Sequence, residues 1–156
     1  MRTGMDALKV ADAYVKKIEE AKIDFNFIYG IAYKGISIAA LIGMRYAQEG
    51  INIKWGYNRK IEKDHGEGGI IVGNIQEDDR VLIVDDVIST GFTKLETWQK
   101  LKDAHKNIKP SGILVAVDRE EMQEDYRKKL KEYGLNVYSI VSISEIFDFI
   151  NERSRI

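Results

Sequence analysis

Two clusters in this chain have residue types and spacings that could do chemistry. In Val81-Leu82-Ile83-Val84-Asp85-Asp86-Val87-Ile88-Ser89-Thr90-Gly91, an apolar run ends in two adjacent carboxylates followed by small and hydroxylated residues. The backbone N–H groups of Ile88, Ser89, Thr90 and Gly91 can converge on one point at the start of a helix, a ready site for a phosphate. Ser89, Thr90 and Thr93 add hydroxyl donors there, and Gly91 admits close approach of the backbone. Two acids beside a phosphate repel it. The conflict resolves if one ligand turns hydroxyls or a divalent cation to the acids and its phosphate to the loop, as a sugar phosphate does. Taken alone, the acid pair also fits helix-capping or metal-site acids, or the acids of a phosphoacceptor signalling domain. The second cluster is Arg59, Lys60 and Lys63 with Asp64 and His65. Its cations can neutralise charge on a departing anion, and His65 can donate a hydrogen bond or a proton. Gly66, Gly68 and Gly69 then allow the segment to swing as a lid that excludes water. The alternative for these charges is a solvated surface loop.

The elements that must position these residues alternate along the chain. Thr3 and Asp6 form a capping-box signature, and Leu8, Ala11, Val15 and Ile18 recur at helical spacing, which predicts a helix over roughly 5–21. Strand character over 25–29 precedes the loop Gly30-Ile31-Ala32-Tyr33-Lys34-Gly35 and a helix, apolar almost all round, over 36–46. A strand over 51–57 is followed by the polar, glycine-ended stretch 58–69, expected to be a flexible loop, and by strand character over 70–72. Residues 81–84 and 113–117, the latter after Pro110, are continuous apolar runs, the pattern of strands buried on both faces of a parallel sheet. Leu95, Trp98 and Leu101 mark a helix stripe, 121–133 is charged and helical, 137–141 is a strand, and Ser142 with Glu145 opens a last helix. This alternation predicts an α/β fold with a mainly parallel sheet flanked by helices. In such a sheet, ligands gather beyond the carboxyl ends of the strands, where Asp85 and Asp86 fall.

Composition bounds the function. At 156 residues with 44% hydrophobic content the chain is sized for one domain, 1–156, with a substantial core. With 24 basic and 25 acidic residues the formal charge is −1, so no global field recruits nucleic acid or an anionic membrane, and any polyanion site is local. The absence of cysteine removes disulfides, thiolate metal sites and a cysteine nucleophile. No signal core and no apolar run of about 20 residues is present, so a cytoplasmic protein is expected.

The whole string VLIVDDVISTG resembles the phosphoribosyl-pyrophosphate (PRPP) motif of type I phosphoribosyltransferases. The resemblance implies that fold, with Asp85 and Asp86 on the ribose hydroxyls and Val87, Ile88, Ser89, Thr90, Gly91, Phe92 and Thr93 around the 5-phosphate. Two further strings resemble the orotate phosphoribosyltransferases within that family. IYGIAYKGISIAA, at 28–40, is similar to the segment whose Tyr-Lys pair, here Tyr33 and Lys34, approaches the pyrophosphate of PRPP. YNRKIEKDHGEGG, at 57–69, is similar to the catalytic loop, which implies pyrophosphate binding by Arg59, Lys60, Lys63 and His65 and catalysis by Lys63, Asp64 and His65 across a homodimer interface. ILVAVDREE, at 113–121, resembles the strand that supplies an arginine, here Arg119, to the orotate carboxylate, with the Ser89 hydroxyl also reaching orotate. A guanidinium fork facing a ring carboxylate favours an acidic pyrimidine over a neutral purine, although an ion pair with Glu120 or Glu121 would occupy Arg119 equally well. The expected activity is Mg2+-dependent transfer from PRPP to orotate in pyrimidine synthesis, with Mg2+ carried mainly by PRPP and Asp85 and Asp86 as the candidate acids near it. The rival expectations are a non-catalytic PRPP-binding regulator and a phosphoribosyltransferase for another base. The resemblance begins at about Thr3, at what looks like the family's first core helix. The family's preceding hood, which gives the base a lysine and aromatic contacts, is therefore expected to be absent or to come from another polypeptide. The stretch EEMQEDYRKKLKEYG is also shorter than its family counterpart.

Overall fold

The computed structural model describes residues 1–59 and 71–154. Their order is α1 (Gly4–Glu20), β1 (Phe27–Gly30), α2 (Lys34–Gln48), β2 (Lys54–Asn58), β3 (Ile71–Val72), β4 (Arg80–Ile88), α3 (Phe92–Ala104), β5 (Lys109–Asp118), α4 (Glu124–Glu132), β6 (Val137–Ser142) and α5 (Ile143–Arg153). The strands form one sheet in the order β3-β2-β1-β4-β5-β6, parallel except where β3 pairs antiparallel with β2. The expected α/β architecture, a mainly parallel sheet flanked by helices, is present.

Strand alternation explains why β4 reads as unbroken apolar sequence. Val81 and Ile83 enter one core with Phe27, Tyr29, Val115 and, from α3, Trp98 and Leu101. Leu82 and Val84 enter the other with Ile28, Leu114, Tyr14 of α1 and Ile42 of α2. All four β4 residues have 0% exposure, so a polar substitution at any of them would bury an unpaired group. The capping boxes read at both ends of the chain form as expected: Thr3 with Asp6 opens α1 and Ser142 with Glu145 opens α5.

Four expected boundaries shift for local physical reasons. Strand β4 continues to Ile88 because β5 goes on pairing with it, Asp85 with Val115 and Ile88 with Asp118, so the acids lie within the strand and not after it. On the other side β1 ends opposite Val84, which leaves Asp85 and Asp86 beyond that neighbour. Pro110 lies inside β5 and pairs with Val81 beside a register shift, the irregular position that a residue lacking an N–H can occupy. Helix α4 starts at Glu124 and not near 121, because Glu120 has φ +58 and the extended Gln123 is the cap. Helix α2 begins at Lys34, so the lysine expected in a loop is the helix's first residue.

Candidate active site

Among the described residues, the 30–35 loop, Asp85, Asp86 and the 88–91 loop lie together at the carboxyl edge of β1, β4 and β5. The loop 30–35 is closed backbone against backbone: a Cβ on Gly30 would collide with the Gly35 carbonyl oxygen, and one on Gly35 would lie 2.6 Å from the Val84 carbonyl oxygen. Only glycine permits that approach. Two amides complete the turn, Ile31 N–H donating to Val84 O at 3.1 Å and Ala32 N–H to Asn58 Oδ1 at 2.9 Å. The Ala32–Tyr33 peptide is cis, and Tyr33 is 66% exposed at the tip. Lys34 leaves this loop and donates from Nζ to Asp86 Oδ2 at 2.6 Å.

The two acids occupy different environments. Asp85 is buried; its Oδ2 accepts from Lys94 Nζ at 2.5 Å and its Oδ1 from the Asp86 N–H at 2.9 Å. Burial pushes the Asp85 carboxyl up, against the hydrogen bond and charge of Lys94. At Asp86 burial acts in the same upward sense, but the hydrogen bond and charge of Lys34 outweigh it and hold the carboxyl below its ordinary value. The same pair raises the Lys34 ammonium. Tyr14 donates its hydroxyl to the Asp85 carbonyl at 2.8 Å, and burial followed by the carboxylates of Asp86 and Asp85 pushes its phenol up.

Beyond Ile88 the half-buried Ser89 and Thr90 lead to Gly91, which caps α3 with φ +90. A Cβ there would lie 3.3 Å from Met122 and from Tyr126, so the loop rests on the start of α4. Gln123 N–H donates to Thr90 O at 3.4 Å, and Thr90 Oγ1 accepts from the Phe92 N–H at 3.5 Å. Phe92 and Thr93 are exposed in the opening turn of α3. Arg119 lies at the end of the neighbouring strand, its N–H on Ile88 O at 3.0 Å, while Nη2 donates to Glu121 Oε1 at 2.7 Å. The ion pair weighed from sequence is thus formed, with Glu121 as the partner. Arg59 follows β2 among the described residues; Lys60, Lys63, Asp64 and His65 lie outside them.

Three contributors were not singled out from sequence: Lys94, Asn58 and the Glu120–Ser144 contact, in which Ser144 N–H and Oγ donate to the Glu120 carboxylate at 3.1 and 2.9 Å. Lys94 had a readable signal, since a cation in the first turn of a helix opposes the helix dipole and needs a reason to be there.

A mainly parallel sheet with an acid pair on β4, a small-residue loop entering α3 and a backbone-closed loop after β1 is the type I phosphoribosyltransferase arrangement. The structure of orotate phosphoribosyltransferase from Francisella tularensis superposes with a TM-score of 0.78 at 27% identity, covering 97% of this chain and 73% of that one. An adenine phosphoribosyltransferase from Thermoanaerobacter pseudethanolicus shares the fold at a TM-score of 0.63 and 18% identity, covering 86% of this chain and 79% of that one. Within the class, sequence separates the branches. The chain is 41% identical over 148 residues to orotate phosphoribosyltransferase of Neisseria meningitidis serogroup C, covering 92% of this chain and 68% of that protein. It is 38% identical over 152 residues to the enzyme of that name from Marinobacter nauticus, covering 95% and 70%. No protein-family model matches. The chain belongs to the orotate phosphoribosyltransferase family.

Proposed function

We infer that this chain transfers the phosphoribosyl group of PRPP to orotate, giving orotidine 5'-phosphate and pyrophosphate, a step of pyrimidine synthesis. The observation that carries this reading is the meeting of Asp86, the 88–91 loop and the Gly30–Gly35 loop on one sheet edge in a chain of this family. Asp86, the more exposed acid, accepts from the ribose hydroxyls; the backbone of Val87 to Gly91 and the opening turn of α3 take the 5-phosphate; Tyr33 and Lys34 approach the pyrophosphate. Lys34 is solvent-exposed and Asp86 partly so, and water and salt screen such a pair, so a polyanion can draw Lys34 away and free the carboxylate. Arg119 exchanges Glu121 for the orotate carboxylate, with the Ser89 hydroxyl beside it.

Charge develops on the departing pyrophosphate as the ribosyl carbon becomes oxocarbenium-like, and Arg59, Lys60, Lys63 and His65 are proposed to meet it, with Lys63, Asp64 and His65 catalytic. No covalent nucleophile is required. Mg2+ carried by PRPP would supply further neutralisation of the charge on the pyrophosphate. Among the described residues, no group of three or more His, Asp or Glu side chains is placed to hold a metal; coordination is proposed to run mainly through the oxygens of PRPP. One catalytic domain over 1–156, a homodimer sharing the catalytic loop and a cytoplasmic location complete the proposal; no described helix is long and apolar enough to cross a membrane.

An assay for orotidine 5'-phosphate formed from PRPP and orotate tests the reading, with Asp86→Asn as the negative control. Binding of PRPP without product would favour a regulator, and faster turnover of a purine than of orotate would overturn the assignment of the base.

A further inference from the structure

Strand geometry sends consecutive side chains to opposite faces, and β4 applies this to its two acids. Asp85 turns to the α3 layer and meets Lys94, while Asp86 turns to the α2 layer and meets Lys34. The two pairs are alike in chemistry and unlike in exposure. Lys94 and Asp85 side chains are 7% and 13% exposed; Lys34 and Asp86 are 77% and 31% exposed. Both carboxylate oxygens of Asp85 are committed inside the protein, one to Lys94 and one to the Asp86 N–H, and its carbonyl holds the Tyr14 hydroxyl. Lys94 uses a second donor on the Val87 carbonyl at 2.7 Å. A buried ammonium in the opening turn of a helix is doubly unfavourable, from desolvation and from the dipole, so the pair is not explained by helix stability.

We propose that Lys94 is a positioning residue, and that the Lys94–Asp85 pair makes Asp85 an internal strut and leaves Asp86 as the acid that meets the sugar. This rests on the phosphoribosyl-transfer reading of the site. The bond from the Asp86 N–H to Asp85 Oδ1 fixes the peptide that carries Asp86, and the bond from Lys94 to the Val87 carbonyl fixes the next residue. Together they aim the Asp86 carboxylate and the amides of 88–91. Lys94 also cancels one of two adjacent charges from within. The edge then presents a single carboxylate to a polyanionic sugar phosphate, and the repulsion that two acids would impose is halved at its source.

Calorimetric titration of wild type, Lys94→Met and Asp85→Asn/Lys94→Met with Mg2+-PRPP tests this, with folding checked by circular dichroism. Lys94→Met leaves a buried carboxylate unpaired, and PRPP affinity is expected to fall by about tenfold or more. The double variant replaces the pair by neutral groups of similar shape and is expected to bind within about threefold of wild type. A folded Lys94→Met protein that binds as wild type does overturns the proposal. So does a double variant as weak as Lys94→Met, because Asp85 would then touch the ligand itself. If Lys94→Met fails to fold, the double variant decides alone: affinity within about threefold supports the strut, and a loss of about tenfold or more overturns it. Wild-type protein that does not bind PRPP overturns the transfer reading and this inference together, whereas wild-type binding with insensitive variants overturns only the latter.

Discussion

The β4–α3 and β5–α4 loops leave the same sheet edge one strand apart, yet they are held differently. The first is fixed from below: Gly91 sits against Met122 and Tyr126, Lys94 ties α3 to Asp85 and Val87, and Tyr14 reaches Asp85 through the α1 layer. The second is held by groups in solvent. Glu120 N–H donates to Asp118 Oδ1 at 2.8 Å, the Glu120 carboxylate accepts from Ser144, and Arg119, half exposed, pairs with Glu121. The phosphoribosyl group is common to the reactions of the class, and its phosphate can be met by a rigid backbone cradle. The base differs between members, and exposed ion pairs can be rearranged at small cost.

The largest expected effect lies with neither loop. Lys63→Ala should lower kcat by about 10²–10³-fold with little change in the melting temperature, as for removal of a group that stabilises transition-state charge; near-normal turnover in steady-state assays would remove Lys63 from the mechanism. Arg119→Ala should raise the KM for orotate by about tenfold or more, the worth of a charge-assisted hydrogen bond, and leave PRPP binding unchanged. An equal loss for both substrates would abolish the distinction between the two ends. Gly91→Ala should do the reverse: strain at φ +90 and contact with Met122 and Tyr126 should cost about 1–2 kcal/mol in urea unfolding and weaken PRPP more than orotate. Ser142→Ala, which removes the cap of α5, should cost about 1 kcal/mol and disturb the base end alone.

The smallest effect is on pH dependence. Hydrogen bonds from the Ser142 backbone and side chain hold the Glu145 carboxyl below its ordinary value. A depressed acid contributes stability that is present above its unfolded pKa, about 4.3, and is lost as pH falls through the folded value. The difference in melting temperature between wild type and Glu145→Gln should therefore shrink on acidification below about pH 4; a difference that grew would reverse the assignment.

The proposed phosphate end was legible in sequence because its devices are local. A buried β-branched run, two acids, hydroxylated residues and a glycine stand in consecutive order, and each has a backbone reason for its place. The period of two in β4 also carried unused information, since it already put Asp85 and Asp86 on opposite faces. The partner of Lys94 remained hidden, because only the return of α3 over the sheet brings it to Asp85. Arg119 could be located at the end of a strand, but not its partner, because Glu120 and Glu121 both stand beside it and a positive φ at Glu120 decides which one turns away to Ser144. The antiparallel pairing of β3 and the extension of β4 past its acids depend on neighbouring strands, which no local pattern specifies.

The four fully enclosed residues at the centre of β4 also govern how the site can open. A strand covered by α1 and α2 on one face and α3 on the other has no local route to solvent, so its amides should exchange with deuterium only through global unfolding. Helix α5, with none of its described side chains buried, can fray without disturbing that centre. A ligand seated at the end of β4 would therefore slow exchange throughout the sheet, while the last helix continued to breathe at its own rate.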